Sequence, residues 1–323
     1  MITCVYKLKF DTPVHFGAAE LGGKLEAINF TYSSDALFSA LCCELANSEI
    51  FSDFFNAVAQ DKIFLSDLFP YNDKNFYLPK PLLNEKQIKY SALEEVRKQF
   101  TQRKKQKKMD YLRASNFQKY LASLKSGESF IESSDFGSTN LIQKVSCRDD
   151  ESLPYYVGEF FFNATSGLYL IANFKDENYF DEFFNLLSNL GLSGIGGKRS
   201  SGLGKFHIID KIILDESCAN EDLKAVKEML SNENASWQMC ISSVLPAEED
   251  ISVLSQSYYR LKKRGGFVTA LTGEVNRKKN SVYMLDAGSC LPKRIEGRNV
   301  ILDKINDHEI FRFGKGFFVG LPI

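Results

Sequence analysis

The chain opens with strict alternation between apolar and other side chains. Lys7 and Lys9 lie between the apolar positions of this stretch, so they point to the opposite face. A period of two is typical of a β-strand with one buried side, which we predict over residues 2–10. The alternating apolar positions are Ile2, Cys4, Tyr6, Leu8 and Phe10.

The next pattern has a helical period. Ser33, Ser34 and Asp35 offer side-chain oxygens that cap the N-terminus of a helix. Apolar residues then follow three or four positions apart, which predicts a helix with one buried face over SDALFSALCCELA, residues 34–46. These apolar positions are Leu37, Ala40, Leu41 and Leu45.

Residues 155–214 add two strands, a helix and a further strand. The apolar runs 155–162 and 168–174 are joined by NATSG, which predicts a β-hairpin. Helical spacing in 179–191 predicts a helix that ends at Gly191, and GKFHIIDKIIL, residues 204–214, predicts a strand. The order over residues 1–214 is β-α-insertion-β-β-α-β, which is the ferredoxin-like or RRM-like arrangement.

We therefore predict an α+β chain with two RRM-like domains. The first covers residues 1–214 and contains an insertion at about 79–154, where a basic helical stretch and a Ser-rich segment fit neither period. Residues 215–234 form a polar linker or helix. A shorter domain of related design covers residues 235–323, where a strand, a helix and short strands partly repeat the pattern.

The composition narrows the function classes. A net charge of −1 over 323 residues argues against a general polyanion binder, so nucleic-acid binding must come from local charge. The apolar runs are too short to cross a membrane. Seven irregularly spaced cysteines, three histidines and no CxxC motif argue against zinc and favour reduced thiols in the cytoplasm. We expect no cofactor and no small-molecule substrate.

The stretch GIGGKRSSGLG, residues 194–204, is the strongest local signal. Arg199 departs from two phosphate-binding templates, since G-x4-G-K-[ST] needs Ser or Thr after the lysine and G-x-G-x-x-G needs glycine at this position. Glycines let backbone N–H groups approach an extended anion, while cations and hydroxyls add contacts. The alternative is a flexible solvent loop. The predicted anion-binding residues are Gly194, Gly196, Gly197, Lys198, Arg199, Ser200, Ser201, Gly202 and Gly204.

An ordered set of motifs supports a more specific hypothesis. The loop follows an aromatic-rich helix, and the other motifs are HFG (15–17), SDALFSALC (34–42), FYLPKP (76–81), RGGFVT (264–269) and EGRNVI (296–301). In this order they resemble the RAMP superfamily of CRISPR proteins. The resemblance is to the group of subunits that cap the crRNA 5′ end in type III-A (Csm) antiviral effector complexes.

The resemblance implies a fold, partners and sites. It implies two RRM-like domains, a grip on the repeat-derived 5′ tag of the crRNA, contact with the large polymerase-like subunit and contact with a backbone RAMP subunit. A thumb-like β-hairpin is expected near 137–159, with Lys144 and Arg148 meeting the RNA backbone. The HFG motif maps to His15, Phe16 and Gly17. Subunits of this group are not expected to cut RNA.

The residues themselves also favour single-stranded RNA, which proteins hold by backbone charge contacts and stacking on aromatic rings. Basic and aromatic residues interleave at His15-Phe16, at Tyr258-Tyr259-Arg260 and across 262–267. From the last segment we predict RNA contacts by Lys263, Arg264 and Gly265. The basic run 97–119 is left between RNA binding, docking of an acidic partner and a solvated helix face.

Two other functions remain open at this stage. His15 could act as general acid or base in a metal-independent RAMP endoribonuclease that processes repeat RNA, where the ribose 2′-OH is the nucleophile. In the alternative interpretation His15 stacks or donates a hydrogen bond without chemistry. The chain could also be a scaffold whose glycine-rich loop docks a partner protein rather than RNA.

Overall fold

The structure, a computed structural model, describes residues 1–18, 24–46, 48–85, 93–148, 151–268, 278–305 and 308–323. The described helices are α1 (Ser34–Glu44), α2 (Phe51–Ala59), α3 (Leu93–Lys108), α4 (Phe117–Ser126), α5 (Asn178–Ser193), α6 (Glu221–Ser231) and α7 (Ile251–Leu254). The strands of the first half are β1 (Ile2–Phe10), β2 (Phe16–Gly17), β3 (Ile28–Asn29), β4 (Ile63–Leu65), β5 (Phe69–Asn72), β6 (Asn75–Pro79), β7 (Tyr111–Arg113), β8 (Gly137–Arg148) and β9 (Glu151–Phe162). Those of the second half are β10 (Ser166–Phe174), β11 (Phe206–Ile213), β12 (Gln238–Cys240), β13 (Leu261–Arg264), β14 (Val282–Leu285), β15 (Cys290–Leu291), β16 (Val300–Ile305), β17 (His308–Arg312) and β18 (Phe318–Gly320).

The main sheet has the ferredoxin-like strand order. Its strands run β11-β1-β10-β5-β6-β7, and β4 also pairs with β10. Every pair is antiparallel. Helix α1 connects β1 to β4, and α5 connects β10 to β11. The chain therefore has the predicted α+β fold, with the β-α-β-β-α-β order at its centre.

Both faces of this sheet are buried. Tyr6 of β1 packs with α1 and α5 in one hydrophobic cluster, where Leu37 and Phe183 are fully enclosed. Val5, on the opposite face of the same strand, belongs to a second cluster that includes Phe117 of α4. Helices on both faces remove the sheet from water, and this apolar burial is the main stabilising term of such a fold.

The predicted second strand of the ferredoxin motif is wrong. Residues 155–162 belong to β9, which pairs along its whole length with β8 from Gly137↔Phe162 to Arg148↔Glu151. The far edge of β10 instead pairs with β4 and β5, two short strands in line that are interrupted at residues 66–68. The NATSG turn joins β9 to β10 in sequence, but the two strands do not pair with each other in the described sheets.

Two segments that we predicted outside the core lie in it. Within the predicted insertion, β7 pairs with β6 at the edge of the main sheet, and α4 buries Phe117 and Leu121. The segment predicted as a linker or helix is the helix α6, with Leu223 and Val226 buried. The carboxylate of Asp222 accepts hydrogen bonds from the backbone N–H groups of Phe76 and Ser115. The linker interpretation is therefore wrong for α6.

The end of α5 also differs from the prediction. The helix continues to Ser193, and Gly194 is its C-cap with a φ of 79°. Gly191 lies inside the helix, where a Cβ would come within 2.3 Å of the backbone oxygen of Phe206. Gly191 therefore allows α5 to approach β11 closely, and Gly194 turns the chain into the glycine-rich loop.

The C-terminal part of the chain is built on a smaller sheet. Its order is β15-β12-β18, with both pairs antiparallel. The first and last strands of the region are thus neighbours, as in the main sheet. The helix of this region is short, a 3₁₀ turn over Glu248–Asp250 followed by α7. The described residues between β15 and β18 contain the hairpin β16-β17. A second RRM-like domain over 235–323 remains a proposal.

Candidate nucleic-acid interface

The glycine-rich loop is an ordered turn at the end of α5. Ile195 donates to the backbone oxygen of Gly204 at 3.0 Å, and Gly204 donates to that of Pro13 at 2.9 Å. Ile195 and Leu203 are buried and anchor the two arms of the loop. This closed hydrogen-bonded path favours a built site over the alternative of a flexible solvent loop.

Left-handed backbone shapes the tip of this loop. The φ angles are 89° at Gly196, 61° at Lys198, 83° at Gly202 and 80° at Gly204. The N–H groups of Gly197, Ser201 and Gly202 donate to the backbone oxygens of His15, Lys198 and Arg199, so internal hydrogen bonds hold the tip in this shape. Lys198 and Arg199 are half-buried, and Ser200 and Ser201 are exposed in a 3₁₀ turn. The predicted charge and donors therefore surround the same tip.

The HFG motif lies directly beneath the loop. Gly197 donates to the backbone oxygen of His15 at 2.8 Å. A Cβ at Gly196 would come within 2.6 Å of the Phe16 ring, so glycine is required for this approach. Phe16 and the exposed Gly17 form β2, which pairs with β3. The structure therefore brings two distant predicted motifs together.

His15 is enclosed rather than presented to solvent. Its side chain is 5% exposed, and Nδ1 lies 2.8 Å from the backbone oxygen of Gly158 in β9. A carbonyl oxygen can only accept, so Nδ1 carries the proton of this hydrogen bond. A general acid or base must reach the proton that it transfers, and this buried, bonded ring is poorly placed to do so.

The hairpin β8-β9 occupies the place predicted for the thumb. The ammonium Nζ of Lys144 lies 3.3 Å from the carboxylate of Glu159, so this lysine is paired within the hairpin. Lys144 is opposite Tyr155 across the ladder, and Nζ of Lys198 lies 5.3 Å from the centre of the Tyr155 ring. A cation at this distance from an aromatic face is attracted to it. One face of the hairpin therefore adjoins the glycine-rich loop.

Arg148 is at the end of β8, where its backbone pairs with Glu151. Its side chain lies outside the described residues, as do those of Arg97 and Lys98 in the basic run. Within the described part of that run, Lys104, Lys105, Lys107 and Lys108 are exposed, whereas Gln106 is buried and accepts from the N–H of Phe130. The end of α3 is therefore a basic surface fixed to the body of the protein.

The second basic segment, residues 262–266, behaves differently. Lys263 is exposed on β13, but the Arg264 guanidinium lies 2.8 Å from the carboxylate of Asp35. Arg312 binds the other oxygen of Asp35 at 2.5 Å and donates to the backbone oxygen of Gly265. These contacts give both residues partners inside the protein. The predicted RNA contacts of Arg264 and Gly265 stay predictions.

The pKa of Asp35 reflects this arrangement. Burial alone would raise the pKa of the carboxyl, but the Arg264 and Arg312 guanidinium groups lower it to about 2. Nearby, Asp67 lies at the break between β4 and β5 and accepts hydrogen bonds from the N–H groups of Ser34 and Ser243. Burial raises the pKa of Asp67 to about 6, against the effect of the Ser34 N–H. The ion pairs of Asp35 with Arg264 and Arg312, and the hydrogen bonds that Asp67 accepts from Ser34 and Ser243, join the start of α1 to the C-terminal part.

A cleft of about 620 Å³ continues from the loop between the two parts of the chain. Gly196, Phe16 and Gly17 are among its lining residues. Its walls also include cationic and aromatic residues from separate elements, namely Tyr32, Lys80, Lys107, Tyr111, Arg260 and Lys262. Sequence analysis did not assign Tyr32, Lys80 or Tyr111, because no local motif shows that they face one cleft.

The described residues contain neither a metal-binding cluster nor a membrane-spanning helix. Among the described side chains, no group of three or more His, Cys, Asp or Glu residues is arranged to hold a metal ion. None of the helices in the described ranges is long and apolar enough to cross a membrane.

The fold and the glycine-rich loop together indicate the class of protein to which the chain belongs. A ferredoxin-like sheet with a closed glycine-rich loop between its second central helix and its last strand is the architecture expected of RAMP proteins. The family model of the CRISPR Csm4 C-terminal domain matches residues 233–321. The Csm4 protein of Streptococcus thermophilus is 30% identical over 98% of this chain and 99% of its own length. The chain belongs to the Csm4 family.

Further relatives agree along the whole chain. Csm4 of Mycobacterium tuberculosis strain H37Rv is 26% identical over 98% of this chain and 97% of its own length. A chain in a crystal structure of the Csm3–Csm4 subcomplex of the type III-A CRISPR-Cas interference complex has a TM-score of 0.63 at 16% identity, covering 99% of both chains. Another, in a Csm1–Csm4 cassette with cA4, has a TM-score of 0.60 at 17% identity, covering 100% of this chain and 99% of that one. These structures share the fold.

Proposed function

We propose that this chain is the crRNA-binding subunit of a type III-A CRISPR antiviral effector complex. It caps the repeat-derived 5′ tag of the crRNA and links the large polymerase-like subunit, Csm1, to the backbone RAMP subunit, Csm3. Membership of the Csm4 family supports the assembly, since relatives of the same fold occur in Csm1–Csm4 and Csm3–Csm4 complexes. All seven cysteines are free thiols, which suits the cytoplasm.

The closed glycine-rich loop carries this proposal. Its tip combines left-handed backbone, two half-buried cations and two exposed hydroxyls, and the aromatic Tyr155 lies beside Lys198. Phosphate contacts from backbone N–H, Lys, Arg and Ser position a nucleic-acid strand, while an aromatic ring offers a stacking surface. We place the tag along this loop and the adjoining cleft, whose lining includes Lys107, Arg260 and Lys262. Lys144 and Arg148 of the hairpin and Lys263 of β13 remain proposed RNA contacts.

The role is non-catalytic in this proposal. The competing endoribonuclease function needs His15 as acid or base, yet His15 is buried and hydrogen-bonded to Gly158. A cleavage assay on repeat RNA in EDTA separates the two. We expect no cutting, and products with a 2′,3′-cyclic phosphate that disappear in His15→Ala would establish the nuclease instead.

A charge-reversal experiment tests the RNA site. The double variant Lys198→Glu with Arg199→Glu should weaken binding of RNA bearing the 5′ tag roughly tenfold or more, because it replaces two phosphate-binding cations by anions. Each lost phosphate contact should also reduce the slope of log K against log salt by about 0.7 for a single strand. Fluorescence anisotropy over a salt series measures both quantities. The matched control is Lys74→Glu with Lys224→Glu, which changes the net charge equally at exposed positions away from the loop.

The outcome also separates RNA binding from the scaffold alternative. If the loop variant binds the tag as the control does and its circular dichroism is unchanged, the loop is not the RNA site. Loss of Csm1 or Csm3 from the purified complex with undiminished RNA binding would then identify the loop as a protein-docking surface.

A further inference from the structure

Residues 13–16 form a narrow strip between the glycine-rich loop and the hairpin β8-β9. On one side, the backbone oxygens of Pro13 and His15 accept hydrogen bonds from Gly204 and Gly197 of the loop at 2.9 and 2.8 Å. On the other side, Val14 pairs with Phe160 of the hairpin through two hydrogen bonds of 2.9 Å. The alternation of an extended backbone thus joins two functional elements through four residues.

The His15 side chain adds a contact to both neighbours. Nδ1 donates to the backbone oxygen of Gly158 in the hairpin at 2.8 Å. A Cβ placed on Gly197 would lie 2.7 Å from Cδ2 of His15, so the imidazole ring packs directly under the loop. Gly158 is held from a second direction, because its N–H donates to the oxygen of Leu25 at 2.9 Å. Loss of the imidazole would leave the buried Gly158 carbonyl without this donor.

The hairpin amplifies small changes at this point. From the Leu141↔Gly158 rung to the Arg148↔Glu151 rung the strands advance seven residues, about 23 Å. A rotation of about 10° at the base would move the tip by about 4 Å on this strand length, a displacement of the same order as the roughly 3.4 Å rise per nucleotide along one strand of a DNA duplex.

We propose that His15 is a positioning residue that fixes the angle between the hairpin and the glycine-rich loop, and thereby the number of tag nucleotides held between them. This inference rests on the proposed RNA function. It gives the buried histidine a mechanical role in the grip on the tag and no chemical one.

The first test measures the hairpin position without RNA. Cys43 on α1 and Cys147 on β8 are the exposed cysteines, so spin labels on them report the distance between the body and the hairpin by pulsed electron resonance. We expect His15→Leu to broaden or shift this distance distribution. His15→Asn, whose amide Nδ2 can donate where Nδ1 did, should restore it. His207→Leu is the matched control, since His207 is exposed and pairs with Asp11.

The second test measures the tag. In the assembled complex, nuclease digestion leaves a protected 5′ segment whose length is read by sequencing. His15→Leu should change that length by about one nucleotide or make it heterogeneous, and Gly197→Ala should do the same because its Cβ displaces the His15 ring. If His15→Leu fails to fold, Gly197→Ala and His15→Asn decide the matter.

The wild-type complex tests the proposed RNA function, and the variants test the positioning role of His15. A wild-type complex that protects no 5′ tag contradicts the proposed function itself. A wild-type complex that protects the tag, with variants that give the same label distances and the same protected length, overturns the positioning role of His15 and leaves the RNA function intact.

Discussion

Two glycine-containing basic segments of this chain look alike in sequence and differ in structure. In the loop 194–204, the charged tip sits on left-handed backbone with Lys198 and Arg199 half-buried at the surface. In 262–266, Arg264 turns inward to Asp35, and Lys263 is the one exposed cation of the segment. A cation beside glycine in the sequence can therefore bind an acid from a distant segment instead of facing solvent.

The largest effect should come from the inward segment. Asp35→Ala leaves the buried Arg312 and the partly buried Arg264 without their carboxylate, which we expect to lower the free energy of unfolding by about 3–5 kcal/mol. Chemical denaturation followed by circular dichroism measures this change. Lys263→Ala, one residue from Arg264 but exposed, is the control and should shift stability by less than about 0.5 kcal/mol. Equal effects of the two variants would erase the distinction between the segments.

A second prediction concerns pH. The pKa of Asp67 is raised to about 6 from an ordinary 3.8, mainly by burial, so ionisation is less favourable in the folded chain than in the unfolded one. The stabilisation from protonated Asp67 is full below about pH 4 and is lost as pH rises through 6. Relative to wild type, Asp67→Asn should therefore gain up to about 3 kcal/mol between pH 4 and pH 7. Denaturation curves at both pH values check this, and a difference that stays constant with pH would contradict it.

The smallest effect compares two glycines of the loop. Gly196 and Gly202 both have left-handed φ angles, so alanine costs about 1–2 kcal/mol at either position. A Cβ at Gly196 would also meet the Phe16 ring at 2.6 Å, whereas nothing lies within 4 Å of one at Gly202. Overpacking should make Gly196→Ala less stable than Gly202→Ala by about a further 1–3 kcal/mol. Equal melting temperatures would show that the loop does not rest on β2.

Local patterns were sufficient for much of the fold. The alternation in β1, the helical spacing in α1 and α5, and the strand β11 were all predicted and confirmed. Each of these elements has one periodic apolar pattern and a recognisable start or end. The glycine-rich loop was also located correctly between α5 and β11.

Pairing between distant segments could not be predicted in the same way. The apolar run 155–162 fits any antiparallel partner, and its adjacency to 168–174 suggested the wrong one. The strands that do pair with β10, β4 and β5, could not be predicted, because Ser66, Asp67 and Pro70 interrupt their apolar pattern. The pairing of Arg264 with Asp35 spans 229 residues, and no local signal identifies it.

The strip of residues 13–16 has a consequence for how such subunits can be recombined. Because the loop and the hairpin each bond to opposite sides of this strip, neither is an independent module. In a chimera with the hairpin of one relative and the loop of another, the strip cannot match both of its neighbours. The strip, the hairpin and the loop must therefore come from the same relative. The smallest unit that can be exchanged with its RNA grip intact is thus three separate segments: residues 13–16, the hairpin β8-β9 and the loop 194–204.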